Sequence, residues 1–324
     1  MRVFRDQIYA LSPELALSNT VSAGEVFSCV TLDASGNQIA EGRNHADLDP
    51  ARVFPVNGAL GVAGVRVGDA VGISIRSIAA SPWGHTWTRP GLGVNAPPET
   101  HVRRLSSQHP TIDWGSGAPI SVPPQLHIGT IGLLPAVGQQ PRTLGGYGGN
   151  LDSVLARSGS TVWITAQIPG GGLFLGDVHA AMGDAEVCGT GIEVAAEVQL
   201  SVKVQSGWAP RFATIDSDSK YWIIVTGDTF DEALRSGVSE CTRLLAAHAG
   251  MTQPDAYLAV GLLLEVRVCQ VVNPRRSLAL SLTGAANAAL GPPSAAHQLG
   301  AATVSVTAPQ HLRCSSDRIG EASG

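Results

Sequence analysis

Long apolar runs, paired-cysteine motifs and an excess of basic charge are all missing from this sequence, and each absence removes a class of protein. No stretch reaches the roughly 18 apolar residues that a membrane-spanning helix needs. The longest apolar run, Tyr257 to Leu264, is short and interrupted by Gly261. The N-terminal residues 1–18 contain no continuous apolar core of the secretory type, so export is not expected. The five cysteines, Cys29, Cys188, Cys241, Cys269 and Cys314, are scattered, odd in number and never spaced C-x-x-C. That argues against a disulfide framework or a zinc knuckle and for reduced thiols in a cytoplasmic protein. A net charge of −5 leaves no basic footprint for nucleic acid. The one basic cluster, Arg275–Arg276, follows Asn273–Pro274 and reads as a solvated turn.

Glycine and proline, by contrast, are plentiful, at 38 and 20 residues. Both weaken helix interiors and favour turns, so the composition favours a β-rich architecture. The expected organisation is a β-rich region over 1–140 and a second over 141–324, or the two merged into one compact unit. Strands are expected over Glu25–Asp33, after the turn at Val67–Asp69, and over Thr161–Ile168. The clearest period of two runs from Ile192 to Gln205, with Ile192, Val194, Ala196, Val198 and Leu200 on one face and Glu193, Glu197 and Gln199 on the other. Residues 80–125 read as long loops with short strands, and 136–149 as a linker or a site loop. Near the C-terminus, Asp228 or Thr229 caps a helix ending at Gly250, and a second helix follows Thr252 and Pro254. A strand over Val266–Val272 comes next, and the tail from Pro293 lacks pattern.

The chemistry is concentrated in Gly170–Glu193. Asp177 and His179 are two apart and project from one face of an extended chain; Asp184 and Glu186 repeat that spacing after Ala180–Gly183. A hairpin there would gather three carboxylates and an imidazole. Such crowding is costly unless the acids are protonated, hydrogen-bonded or neutralised by a cation. Mixed His/carboxylate ligation suits Zn²⁺, Mn²⁺ or Ca²⁺. The nearby glycines permit close backbone approach. Cys188 lies in the same alternation and reads as a small buried thiol rather than a nucleophile.

Two segments, Gly145–Ser153 reading GGYGGNLDS and Gly172–Val194 reading GLFLGDVHAAMGDAEVCGTGIEV, resemble the central signature of the acetamidase/formamidase family. Further similarity lies at Pro55–Gly58 with Val67–Asp69, at Gly129–Pro135, around Asp231–Ala233, and at Val266–Pro274. The resemblance implies hydrolysis of short-chain amides to ammonia and a carboxylate, with a divalent metal, zinc first and calcium or manganese as alternatives. It also implies a mainly β fold, sandwich- or barrel-like, with an α+β C-terminal portion, and a homo-oligomer, a dimer as the first expectation. Carried over onto this chain, it makes Asp152, Asp177, His179 and Glu193 the metal residues and Glu186 the base, with Asp184 beside it. Asn150, Phe54 and Met182 are the expected substrate contacts. Three positions depart from the family pattern: Phe54 stands where a polar residue, often His, is usual, Met182 replaces Gln, and Ala185 replaces Gly. A larger or less polar amide, another C–N substrate, or a silent ligand-binding homologue are the alternatives these departures raise. His127, His45 and His85 are further candidates in expected loops, with His127 able to stand in for the missing histidine.

Overall fold

The computed structural model describes residues 1–17, 19–112 and 117–293. A nine-stranded sheet runs in the order Arg2–Phe4, Val26–Thr31, Ala196–Gln205, Ala70–Ala80, Thr161–Thr165, Ala213–Ser217, Lys220–Gly227, Arg276–Leu282, Leu264–Gln270. Its pairings are antiparallel except for Arg2–Phe4 beside Val26–Thr31. A second sheet is built on His127–Leu133 and Leu173–His179, flanked by Gly148–Asn150 on one side and by Glu193–Val194, Trp83–Thr88 and His101–Ser106 on the other. Val56–Val62 also pairs with Leu173–His179. Both sheets take strands from either side of residue 140.

The two sheets share one apolar core. Val71, Ile73, Val162, Ile164, Val198 and Leu200 from the first meet Ile128, Ile131, Leu133, Leu173 and Leu175 from the second. Burying each such aliphatic side chain contributes about 1.5–3 kcal/mol before conformational entropy is subtracted. One contact shows how sequence fits sheet. Trp163 pairs directly with Gly72, and a Cβ on Gly72 would sit 2.8 Å from the indole. Only glycine lets the ring lie flat across that strand.

The mainly β expectation holds, with helices confined to the C-terminal part. Helix α1, Phe230–Ala249, opens with a capping box in which Thr229 accepts from the Glu232 amide, and it closes on Gly250 at φ 65°. Helix α2, Gln253–Leu263, is capped by Thr252. Helix α1 packs on Lys220–Gly227 and Arg276–Leu282 and α2 packs on α1, in a cluster that includes Ala233, Cys241, Leu245, Val260, Leu278 and Leu280. The patternless tail lies outside the described residues.

The fourteen-residue alternation is divided between the sheets. Glu193–Val194 belongs to the second sheet and Ala196–Gln205 to the first, so the chain changes layer at Ala195. Alternation fixes which side chains share a face, not which sheet the backbone joins. That crossover turns Glu193, expected opposite the apolar face, into the molecular interior at 2% exposure.

Candidate functional site

The site forms where three strands of the second sheet end together. His127 sits opposite His179, and Thr130 opposite both Asn150 and Gly176. Asp152 follows the strand end at Asn150, its amide and that of Leu151 both donating to the Gly129 carbonyl. Asp177 arrives from the other side. The two carboxylates converge over Gly129: a Cβ there would lie 2.8 Å from Asp152 Oδ1 and 2.9 Å from Asp177 Oδ2. Any side chain at 129 would occupy the space the acids use.

Glu193 enters on the next strand, paired with His179 on one side and His85 on the other. Glu186 comes from the loop after the Leu173–His179 strand. That loop is fastened to the edge of the first sheet by Ala185, whose amide donates to Val268 O at 3.0 Å and whose carbonyl accepts from Val271 at 3.1 Å. Asp152, Asp177 and Glu186 all hold left-handed backbone, at φ 46°, 56° and 49°. Such conformations cost free energy and cluster at sites whose geometry the surroundings impose.

Asp152, Asp177, His179, Glu186 and Glu193 are each buried, none more than 7% exposed. His179 Nε2 lies 3.1 Å from Glu193 Oε1 and 3.6 Å from Asp177 Oδ1. Two ligand sets share that histidine, Asp152/His179/Glu186 and Asp177/His179/Glu193, each with its ligand atoms within 4.8 Å of one another. Supporting side chains orient the acids. Asn273 donates to Asp152 Oδ2 at 2.9 Å, and Asn150 donates to the same oxygen. Thr130 Oγ1 bonds Asn150 Oδ1 at 2.6 Å, and the Gly191 amide donates to Glu193 Oε1 at 3.1 Å.

The electrostatics of the cation-free chain follow from that crowding. Burial, with neighbouring carboxylates, pushes Glu186 and Glu193 up to about 8 and Asp152 well above the usual carboxylate range. Burial opposes charge on His179, but Glu193 and Asp177 raise it well above its ordinary value. Burial also acts against Asp177, yet His179 and the hydrogen bonds around it leave it lowered. Four acids cannot all ionise here unaided. His179 Nε2, Asp152 Oδ1, Glu186 Oε2 and Glu193 Oε2 are buried with no hydrogen-bond partner among the described residues. A divalent cation fits these unpartnered oxygens and nitrogen.

Three expectations need correction. Asp184 is not in the cluster: half exposed, it forms an ion pair with Arg267 at 2.9 Å. Ala180–Gly183 does not form the hairpin that two-residue spacing suggests, because Ala185 is held by the other sheet. Cys188 is exposed rather than buried, while Cys29, Cys241 and Cys269 are buried and unpaired. Asn150 is occupied with Thr130 and Asp152. Phe54 lines a cavity of about 300 Å³ with Trp87, Leu92 and Arg142; Met182 lines another of about 320 Å³ with Leu105 and Ile192. His127 and His85 lie on strands, not loops, and His45 on a short 3₁₀ turn against Trp87. His127 contacts His179, and Asn273 and Thr130 complete the supporting shell; nothing in their spacing announced that role, although Asn273 lies in the family-like Val266–Pro274 stretch.

Comparison with known proteins accords with this geometry. The acetamidase/formamidase family model matches residues 139–282. That span carries Asp152, Asp177, His179, Glu186 and Glu193. A crystal structure of a predicted acetamidase/formamidase from the thermophile Thermoanaerobacter tengcongensis superposes with a TM-score of 0.82 at 27% identity, covering 87% of this chain and 95% of that one. The chain is similar to acetamidases and formamidases in this central span and in fold. An acetamidase from Bacillus halodurans is similar to the same degree, with a TM-score of 0.80, 27% identity and coverage of 86% and 96%. The formamidase of Methylophilus methylotrophus is 24% identical over 254 residues, which is 59% of this acetamidase/formamidase-like chain and 62% of that protein's length.

Proposed function

We propose that this chain hydrolyses short-chain amides of the formamide or acetamide type, giving ammonia and a carboxylate, with a divalent cation, zinc foremost. The observation that carries the reading is the shared histidine: His179 Nε2 faces two sets of buried carboxylates, of which Asp152, Glu186 and Glu193 each keep one oxygen without a partner among the described residues. Asp152, Asp177, His179 and Glu193 would hold the cation, which when bound supplies a Lewis acid able to polarise an amide carbonyl and acidify water.

The remaining work falls to the chain itself. Glu186 takes a proton from the attacking water and returns it to the departing nitrogen. Its position at the rim of the cluster, on a loop fixed through Ala185, keeps that carboxylate near the reacting atoms. Asn150, Thr130 and Asn273 keep Asp152 and Asp177 from swinging. Amide and water enter; a carboxylic acid and ammonia form with one proton passed through Glu186, and the acid's own proton then moves to ammonia, giving carboxylate and ammonium.

The Phe54 cavity favours a second reading of substrate size. Its volume exceeds what formamide fills, and Phe54, Trp87 and Leu92 line it, which supports a bulkier C–N substrate. Free buried thiols support the cytoplasmic reading, and no described helix is long and apolar enough to cross a membrane. Tyr257, Leu258 and Leu262 project from α2 into solvent, which supports a homo-oligomer, a dimer first; light scattering showing only monomer would remove that part.

The test is ammonia release from formamide, acetamide and propionamide before and after chelation, then after return of zinc. Release that falls with chelator and recovers with zinc upholds the proposal. Zinc bound at the cluster with no ammonia from any simple amide would move the reading to the bulkier substrate.

A further inference from the structure

Gln125, His127, His179 and Ala180 close a ring of hydrogen bonds against the cluster. The Gln125 amide donates to Ala180 O at 2.7 Å. The Gln125 carbonyl lies 2.7 Å from His127 Nδ1. His127 Nε2 in turn lies 3.1 Å from His179 Nδ1. The two imidazoles face one another across directly paired strand positions, with centroids 5.0 Å apart and planes at 71°. Both are fully buried, so no water can substitute for these partners.

The direction of each proton can be read from this ring. A carbonyl oxygen only accepts, so His127 Nδ1 must carry hydrogen. A neutral imidazole has one N–H, which leaves His127 Nε2 as an acceptor. His179 Nδ1 must then donate to it, so that when His179 is neutral, as cation binding requires, Nε2 is left with its lone pair. That nitrogen is the one facing Asp177 and Glu193, 3.6 and 3.1 Å away. A second N–H on His127 would reverse the order, but it would add a buried positive charge beside a ring that faces a cation.

We propose that His127 is a positioning residue: held by the Gln125 carbonyl, it locks His179 as the Nδ1–H tautomer and so presents Nε2 to a divalent cation among the carboxylates. The inference rests on the cation reading above, and it assigns a role to a side chain that touches neither cation nor substrate. Partners that orient a ligating histidine through its other nitrogen change metal affinity by about 10–100-fold when removed.

The experiment has two arms on the full chain. Long-range proton–nitrogen correlations of the imidazole rings are recorded without cation and with zinc. The expected result is hydrogen on His127 Nδ1 in both states, and on His179 Nδ1 with zinc at Nε2. Hydrogen on His127 Nε2, or zinc on His179 Nδ1, overturns the proposal. In the second arm, zinc affinity is measured by competition with a chromophoric chelator for wild type, His127→Phe and His127→Gln. Phenylalanine keeps bulk without an acceptor, and affinity is expected to fall about 10–100-fold. Glutamine places an amide oxygen near the lost Nε2 and is expected to restore most of that loss. Equal loss in both variants would mean packing alone and overturns the role. Should wild type bind no zinc, the cation reading fails, and the His127 proton position in the cation-free spectrum still decides this inference.

Discussion

Asn273 Nδ2 donates to Asp152 Oδ2 at 2.9 Å, joining side chains separated by 121 residues of sequence. The bond ties the segment after the Leu264–Gln270 strand of the first sheet to a carboxylate at the end of a second-sheet strand. Asn273 is itself held by its amide, which donates to Gln270 Oε1 at 2.9 Å. Replacing Asn273 with Leu keeps the volume and removes the donor. The expected cost is about 1–3 kcal/mol of unfolding free energy, since a buried acceptor loses a partner. Zinc affinity is expected to drop about tenfold or more. Urea unfolding and chelator competition measure the two effects, and wild-type values for both would show that Asn273 does not support the site.

Asp184 and Glu186 test the division between surface and cluster. Glu186→Gln is expected to lower kcat for amide hydrolysis by about 10²–10⁴-fold, the usual contribution of a positioned acid–base group. Asp184→Asn is expected to leave kcat within about twofold, because its pair with Arg267 is exposed and such pairs contribute about 0–1 kcal/mol. Ammonia release at saturating substrate separates them. A larger loss from the Asp184 change than from the Glu186 change would reverse the assignment.

That pair also shows how far the sequence could be read. The mainly β fold and both helices were legible, because strand alternation, a capping box and a terminal glycine are local signals. Asp177 and His179 were legible as a site because two functional side chains on one strand share a face. Asp184 was not, since the same spacing was extended across a loop whose path is set by Ala185 bonding to Val268, far away in sequence. Asn273 and the donor role of His127 are likewise tertiary facts. The resemblance to a family added Asp152 and Glu193, which no local period ties to Asp177.

The buried acids set a pH dependence with a definite sign. Glu186 and Glu193 rise from 4.5 to about 8 in the cation-free chain, chiefly through burial. The folded chain therefore holds protons that the unfolded chain releases, and this stability is complete below about 4.5 and lost as pH rises toward 8. His127, pushed from 6.5 down to about 3 by burial and by His179, works oppositely but only below 6.5. Between about pH 6.5 and 8.5 the acids act without it. With chelator present, the urea midpoint is expected to fall across that window. With saturating zinc it is expected to hold or rise, because the cation selects the ionised acids. A midpoint that climbs with pH in chelator contradicts the cluster's electrostatics.

The proposed role of Phe54 in substrate size is open to a direct test. Its backbone is left-handed at φ 54°, and the Arg142 guanidinium stacks on its ring 4.4 Å from the centroid. Two residues on, Val56 pairs with Gly176 beside Asp177, so Phe54 lies just before the strand that borders the cluster. If the cavity receives the acyl group, Phe54→Ala removes apolar contact from bulky amides and leaves formamide nearly unaffected. Losing contact with a large apolar group corresponds to about 1.5–3 kcal/mol, or about 10–100-fold in kcat/KM. The measurement is kcat/KM for formamide, propionamide and a phenyl-substituted acetamide in both proteins. A selective loss on the phenyl substrate places its ring against Phe54. Equal loss on all three would assign Phe54 to holding the Val56–Val62 strand in place, and the acyl group would then belong beside Met182.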